Sequence, residues 1–208
     1  MSRPSEPRSL KFSTVSIIPG SSIPIPYPRS SEPATSPLDF PAAVHVAVSR
    51  DFEDAVDAGW VKTVVETVLA QEGPFDAVEV TVRITGDQEI QDLNRKFRGV
   101  DHPTDVLSFG NQEPVSVGSD FALPDEVAQQ LGDVVISYPA AVDQAKEYGH
   151  DLRREVGWLI VHGMLQLLGF SHENEAEARV MRAQEERALA TVTRLDGQSG
   201  ERSPEGVW

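Results

Sequence analysis

Two imidazoles stand ten residues apart in the segment His162-Gly163-Met164-Leu165-Gln166-Leu167-Leu168-Gly169-Phe170-Ser171-His172. Histidine is the commonest metal-ligating side chain. Gln166 follows His162 by four residues, one turn further along a helix. A third histidine there would make a three-imidazole site with one coordination position left open, the arrangement zinc uses for hydrolysis. The amide oxygen of a glutamine is a neutral and harder donor than imidazole. No thiolate can take part, because the chain has no cysteine. The His-Glu-x-x-His pattern of the zinc proteases fails at two places. Gly163 stands where the general base is needed, and Gln166 where the second ligand is needed. On spacing alone, two histidines ten residues apart remain a weak metal motif.

Such a site needs a buried helix followed by a reversal of the chain. Val156, Leu159, Ile160, Met164, Leu167 and Leu168 spread apolar contacts around most of a helix over 152–168, which predicts that it is largely buried. His162 and Gln166 then share one face, with Cβ atoms ~5–6 Å apart. Gly169 suits the left-handed position that ends a helix. A reversal there would carry His172 back over the same face.

The elements around this helix alternate in type. Period-two alternation predicts strands over 44–48 and 77–84, with further short strands over 105–109 and 131–137. Helical spacing predicts helices over 54–71, 87–97, 138–148, 152–168 and 173–192. Residues 110–130 read as a long loop. The order β-α-β-α-β-β-α-α-α is that of an α+β fold, with about five helices packed on a small mixed sheet of about four strands. Residues 1–43 hold nine of the fifteen prolines, including the alternating Pro24, Pro26 and Pro28, and are expected to be a disordered extension. The domain itself is expected over 44–193. Residues 194–208 read as a polar, glycine-rich and disordered tail.

Charge and composition limit the partners. The formal net charge is −15, and residues 1–43, with four basic and three acidic side chains, contribute almost none of it. Nucleic-acid affinity comes mainly from Lys and Arg neutralising phosphates. An RNA ligand would therefore need a local basic cleft or a second protein to deliver it. No apolar run approaches the ~20 residues of a membrane span, so no membrane partner is expected. The lack of a signal-peptide core and of cysteine fits a cytoplasmic location. Outside the histidine segment, Asp133 could accept a hydrogen bond from a ligating imidazole. Asp105 and Ser108 could orient a ligand or simply stabilise a turn. His45 and His150 are expected to be structural or exposed.

Three blocks together resemble the YbeY-type endoribonucleases, enzymes specific for single-stranded RNA and implicated in rRNA maturation and ribosome quality control. Their signature, His-Gly-x-Leu-His-Leu-x-Gly-Tyr-Asp-His, is matched by His162, Gly163, Leu165, Leu167, Gly169 and His172, with Phe170 close to the tyrosine. Gln166 departs from it at the middle histidine and Ser171 at the aspartate. The other two blocks are Leu93-Asn94-Arg95-Lys96-Phe97-Arg98 with Thr104-Asp105-Val106-Leu107-Ser108-Phe109, and Gly132-Asp133-Val134-Val135-Ile136-Ser137. The resemblance covers roughly residues 44–192. It implies an α+β fold and one zinc ion (Zn2+) at the bottom of a cleft, with His162, His172 and Gln166 at the three ligand positions. It further implies Arg98 as the residue that binds the scissile phosphate, a zinc-activated water as nucleophile, and precursor rRNA with the ribosomal subunit or its proteins as partners. With Gln166 in the ligand set, the alternative is a catalytically weakened ribosome-assembly or RNA-binding factor. Glu173, Glu175 and His102 are then candidates for a replacement ligand.

Overall fold

The computed structural model describes residues 40–75, 77–110 and 128–199 of the 208. The proline-rich stretch up to residue 39, most of the 110–130 loop and residues 200–208 lie outside the described residues. In chain order the elements are β1 (Ala42–Val48), a 3-10 turn (Arg50–Phe52), α1 (Ala58–Glu72), β2 (Val78–Thr85), α2 (Asp87–Arg98), β3 (Val106–Gly110), β4 (Gln129–Ser137), α3 (Tyr138–Tyr148), α4 (Leu152–Leu167) and α5 (Glu175–Ser199). The fold is the expected α+β arrangement of four strands and five helices.

The sheet order is β1-β2-β4-β3, with β1, β2 and β4 parallel and β3 antiparallel to β4. Alternation along the strands divides the side chains between two faces. Val80, Val82, Ile84, Val106, Val134 and Ile136 join the main core with residues of α1, α4 and α5. Leu107 and Val135 point the other way and pack with Ile90 and Leu93 of α2. The sheet is thus covered on one face by α1 and α4, with α5 outside them, and on part of the other face by α2.

The helix ends follow local chemistry. Asp57 and Asp151 accept hydrogen bonds from the first free amides of α1 and α4, and Ser137 does the same for α3. Asp105 ties the turn before β3, accepting from Thr104 Oγ1, from the Val106 amide and from Gln144 Nε2. Its role in the structure is that of a turn.

Helix α4 is buried at every residue from Glu155 to Leu167. It can lie this close to the sheet because residue 163 has no side chain. A Cβ at Gly163 would stand 2.5 Å from Val134 Cγ1 and 3.2 Å from Ser108 Oγ. The buried Ser108 hydroxyl instead donates to the Gly163 carbonyl at 3.2 Å. Gly169, at φ +85, ends the helix as expected. The Phe170 amide bonds back to the Leu165 carbonyl at 2.9 Å, and the Gly169 amide to Gln166 at 3.0 Å.

The ordered chain extends past the sequence-based boundaries at both ends. Phe40 packs on the core and meets Phe75 edge-on at 5.3 Å, and β1 begins at Ala42. At the other end α5 runs on to Ser199, so residues 194–199 are helical rather than part of a disordered tail. Asp196 explains this: it accepts from Arg153 Nη2 at 2.8 Å and from Trp60 Nε1 at 3.3 Å, tying the last turns of α5 to α4 and α1. A tie between residues 43 positions apart in sequence leaves no local periodic trace.

Replacing Gly163 by alanine forces α4 off the sheet. Gly163→Ala is expected to lower the unfolding free energy by about 1–3 kcal/mol in urea denaturation. A double-mutant cycle with Val134→Ala is expected to give favourable coupling. An unchanged midpoint for Gly163→Ala would show that the helix does not approach so closely.

Candidate metal centre

His162 is 2 % exposed on α4 and held from three sides. Its ring stacks on Trp158, one turn back, with centroids 5.0 Å apart. Nδ1 lies 2.7 Å from Oε1 of Glu185, a buried carboxylate on α5. A carboxylate only accepts hydrogen bonds, so Nδ1 carries the proton and donates. The ring's other nitrogen then presents its lone pair. That nitrogen, Nε2, lies 3.1 Å from Nε2 of Gln166, whose amide N–H can only donate to it. Gln166 is 1 % exposed, and its Oε1 is a buried atom with no hydrogen bond among the described residues.

The reversal at Gly169 brings His172 back as expected. The rings of His162 and His172 lie with centroids 5.5 Å apart and planes at 43°. Nδ1 of His172 makes no hydrogen bond among the described residues, although the residue has other contacts. Two imidazoles sharing one tetrahedral ion, each with a metal–nitrogen distance of ~2.0–2.1 Å, have centroids ~5 Å apart. The Glu185 hydrogen bond is also the one expected behind a ligating imidazole, because it fixes the tautomer and raises the basicity of the free nitrogen. Two imidazoles and the Gln166 amide, whose oxygen has no donor of its own, therefore supply donor types that suit a single divalent ion.

Two expectations are corrected. The acceptor behind the imidazole is Glu185, not Asp133. Asp133 is exposed on β4 and lines a shallow pocket with Glu79, Thr81, Phe109 and Gly132. The candidates for a replacement ligand do not gather either. His102 is exposed, with Nδ1 on the Pro103 carbonyl, and Glu173 and Glu175 are exposed at the start of α5. Among the described residues no three His, Cys, Asp or Glu side chains form a group that could hold a metal ion. His150 is structural, as expected: its Nε2 lies 3.0 Å from the buried carboxylate of Glu155. Sequence reasoning missed Glu185 because α5 offers four glutamates, and only the packing of α5 on α4 selects one of them.

Arg98 is half-buried in the last turn of α2, beside Arg95 and Lys96, and the helix ends at Gly99 with φ +71. Its neighbour Phe97 meets Phe109 of β3 edge-on at 5.0 Å. Ser108, the next residue along β3, reaches Gly163 through the opposite face of the sheet. Arg98 thus belongs to the α2 side of the sheet and the histidines to the α4 side. Arg95 pairs with Asp92 and Asp101, and Lys96 and Arg98 stand beside it in the same turn.

The family model described as "Endoribonuclease YbeY" matches residues 48–193. The chain belongs to this family. A relative from Chloroflexus aggregans, named endoribonuclease YbeY, is 45 % identical over 148 residues, covering 71 % of this chain and 95 % of that one. Another of the same name, from Thermoanaerobacter sp. (strain X514), is 42 % identical over 153 residues, covering 67 % and 92 %. A solution structure from Thermotoga maritima aligns over 80 % of this chain and 99 % of that one, with a TM-score of 0.50 and 22 % identity, which supports the fold.

Removing the acceptor should disturb His162 in a measurable way. Glu185→Leu leaves a buried N–H unpaired and is expected to lower stability by about 1–3 kcal/mol. The His162 15N spectrum is expected to show Nδ1 protonated in the wild type and a mixed tautomer in the variant. If stability and tautomer both stay put, Glu185 does not hold the ring.

Proposed function

We propose that this chain is a metal-dependent endoribonuclease that cleaves single-stranded RNA during rRNA maturation and ribosome quality control. The observation that carries the reading is the approach of the His162 and His172 rings to 5.5 Å, with the buried Gln166 amide 3.1 Å from His162 Nε2, in a member of the YbeY endoribonuclease family. His162, His172 and Gln166 would hold one zinc ion. When bound, that ion would supply Lewis acidity and an activated water with a pKa lowered toward ~7.

The rest of the chemistry belongs to the protein. Glu185 keeps the proton on Nδ1 of His162, so the other nitrogen stays available. Trp158 and the walls of α4 exclude bulk water from the ring. Arg98 would pair bidentately with the phosphate oxygens and offset the charge that grows in the transition state. The family resemblance assigns it that role, and its place in the basic last turn of α2 supports it. On a chain of net charge −15, this turn is where RNA phosphate would be tolerated. The working partners would be precursor rRNA and a ribosomal subunit or its proteins, in the cytoplasm.

Gln166 also favours a second reading. Its N–H already occupies the lone pair that a metal would take. A weakened enzyme acting mainly as a ribosome-assembly or RNA-binding factor would follow if metal occupancy is low. The two readings are separated by metal analysis of protein purified without chelator, alongside RNase assays with added zinc. The enzymatic reading expects zinc near one equivalent at saturation and cleavage that depends on it; no zinc and no cleavage would overturn it. Arg98→Ala is expected to lose cleavage by about 100-fold or more, as for other groups that stabilise transition-state charge, with zinc content constant. Unchanged cleavage would remove Arg98 from the mechanism.

A further inference from the structure

We infer that the Gln166 side chain is a latch on the metal position. With no cation present its N–H caps the lone pair of His162 Nε2, and a divalent ion enters only as the amide turns its oxygen inward. This rests on the metal-site reading above and goes beyond it. The site then has two states, and its choice of metal differs from that of three imidazoles.

The argument starts from the 3.1 Å between Gln166 Nε2 and His162 Nε2. Because Glu185 fixes the proton on Nδ1, His162 Nε2 offers only a lone pair. An amide oxygen at that same place would set lone pair against lone pair, which is repulsive unless a cation lies between them. Without a cation the N–H must therefore face the ring, and the oxygen is left buried without a donor. A buried polar atom in that condition costs about 1–3 kcal/mol. With a cation the preference reverses, because an amide nitrogen has no lone pair to give and the oxygen has two. The exchange needs only a half-turn about the last side-chain bond, a soft torsion.

The spacing suits both states. A separation of 3.1 Å is an ordinary N–H···N hydrogen bond. It is also the separation of two donors that share one ion, since two atoms each ~2.1 Å from a metal stand ~3–3.4 Å apart when adjacent. One geometry thus serves the latched state and the loaded state, and neither α4 nor α5 has to move.

Two consequences follow. Metal binding must break the amide–imidazole hydrogen bond, which weakens affinity relative to a histidine at position 166. In addition, an amide oxygen is harder than imidazole, so the advantage of zinc over manganese narrows. The substrate of the latch is therefore a first-row divalent cation, with less discrimination than a three-imidazole site has.

The test uses the full chain, labelled with 15N on glutamine side chains, and titrates it with ZnCl2 and separately with MnCl2. The Gln166 NH2 signal, identified by its absence in Gln166→His, is expected to sit at a hydrogen-bonded shift in metal-free protein. It should move to an unbonded shift as zinc saturates. Competition with a chelating dye is expected to give zinc affinity about 10–100-fold higher for Gln166→His, with a zinc-to-manganese ratio at least about tenfold larger than in wild type. If wild type takes up zinc with the Gln166 signal unmoved and an affinity equal to that of Gln166→His, the latch is wrong while the metal site stands. If neither protein takes up zinc or manganese, the metal reading itself falls, and the latch with it.

Discussion

The hydrogen bond from His162 Nδ1 to Glu185 sets what the rest of the site can do. An imidazole has two nitrogens with interchangeable roles until something fixes the proton. Here a buried carboxylate 2.7 Å away fixes it, and the ring is held against Trp158 so that it cannot turn. From that point the other nitrogen has a single available function, to accept. Whatever lies in front of it must be a donor or a cation. Gln166 supplies the donor, and the ring of His172 completes the wall opposite.

This arrangement depends on how tightly α4 is seated. The helix carries His162 and Gln166 on one face and is buried along nearly its whole length, so neither side chain can relax into water. Gly163 lets the backbone approach β3 and β4, and Ser108 ties its carbonyl to the sheet. The Asp196 contacts with Arg153 and Trp60 draw the end of α5 against α4 and α1, and Glu185 lies on that same helix. Packing remote from the histidines thus determines where the His162 acceptor stands. A site built on two helices and a fixed reversal is positioned more closely than one built on loops.

Much of this was legible in the sequence where the signal is local. Alternation located β1 and β2, and two further short segments β3 and β4, all to within about two residues, and the apolar circumference of 152–168 foretold a buried helix. Gly169 foretold the reversal that returns His172, because the left-handed conformation is a property of one residue. The carboxylate that holds His162 Nδ1 was not legible, since Glu185 differs from Glu173, Glu175, Glu177 and Glu186 only in facing α4. Asp133 has the right chemical type, but it is exposed on the sheet, and the ring bonds to Glu185 instead. The end of α5 was misjudged for the same reason: Gly197 is a local break signal, and the long-range tie through Asp196 outweighs it. Gln166 was visible as a departure from the family signature, but its opposing contacts required the fold.

The central claim is that His162, His172 and Gln166 meet on one ion. The most direct measurement is anomalous diffraction at the zinc absorption edge from crystals grown with ZnCl2. The account predicts one strong peak ~2.0–2.2 Å from His162 Nε2, from a ring nitrogen of His172 and from the Gln166 amide oxygen. A map with no peak between these side chains, or with zinc held only elsewhere on the acidic surface, would contradict it.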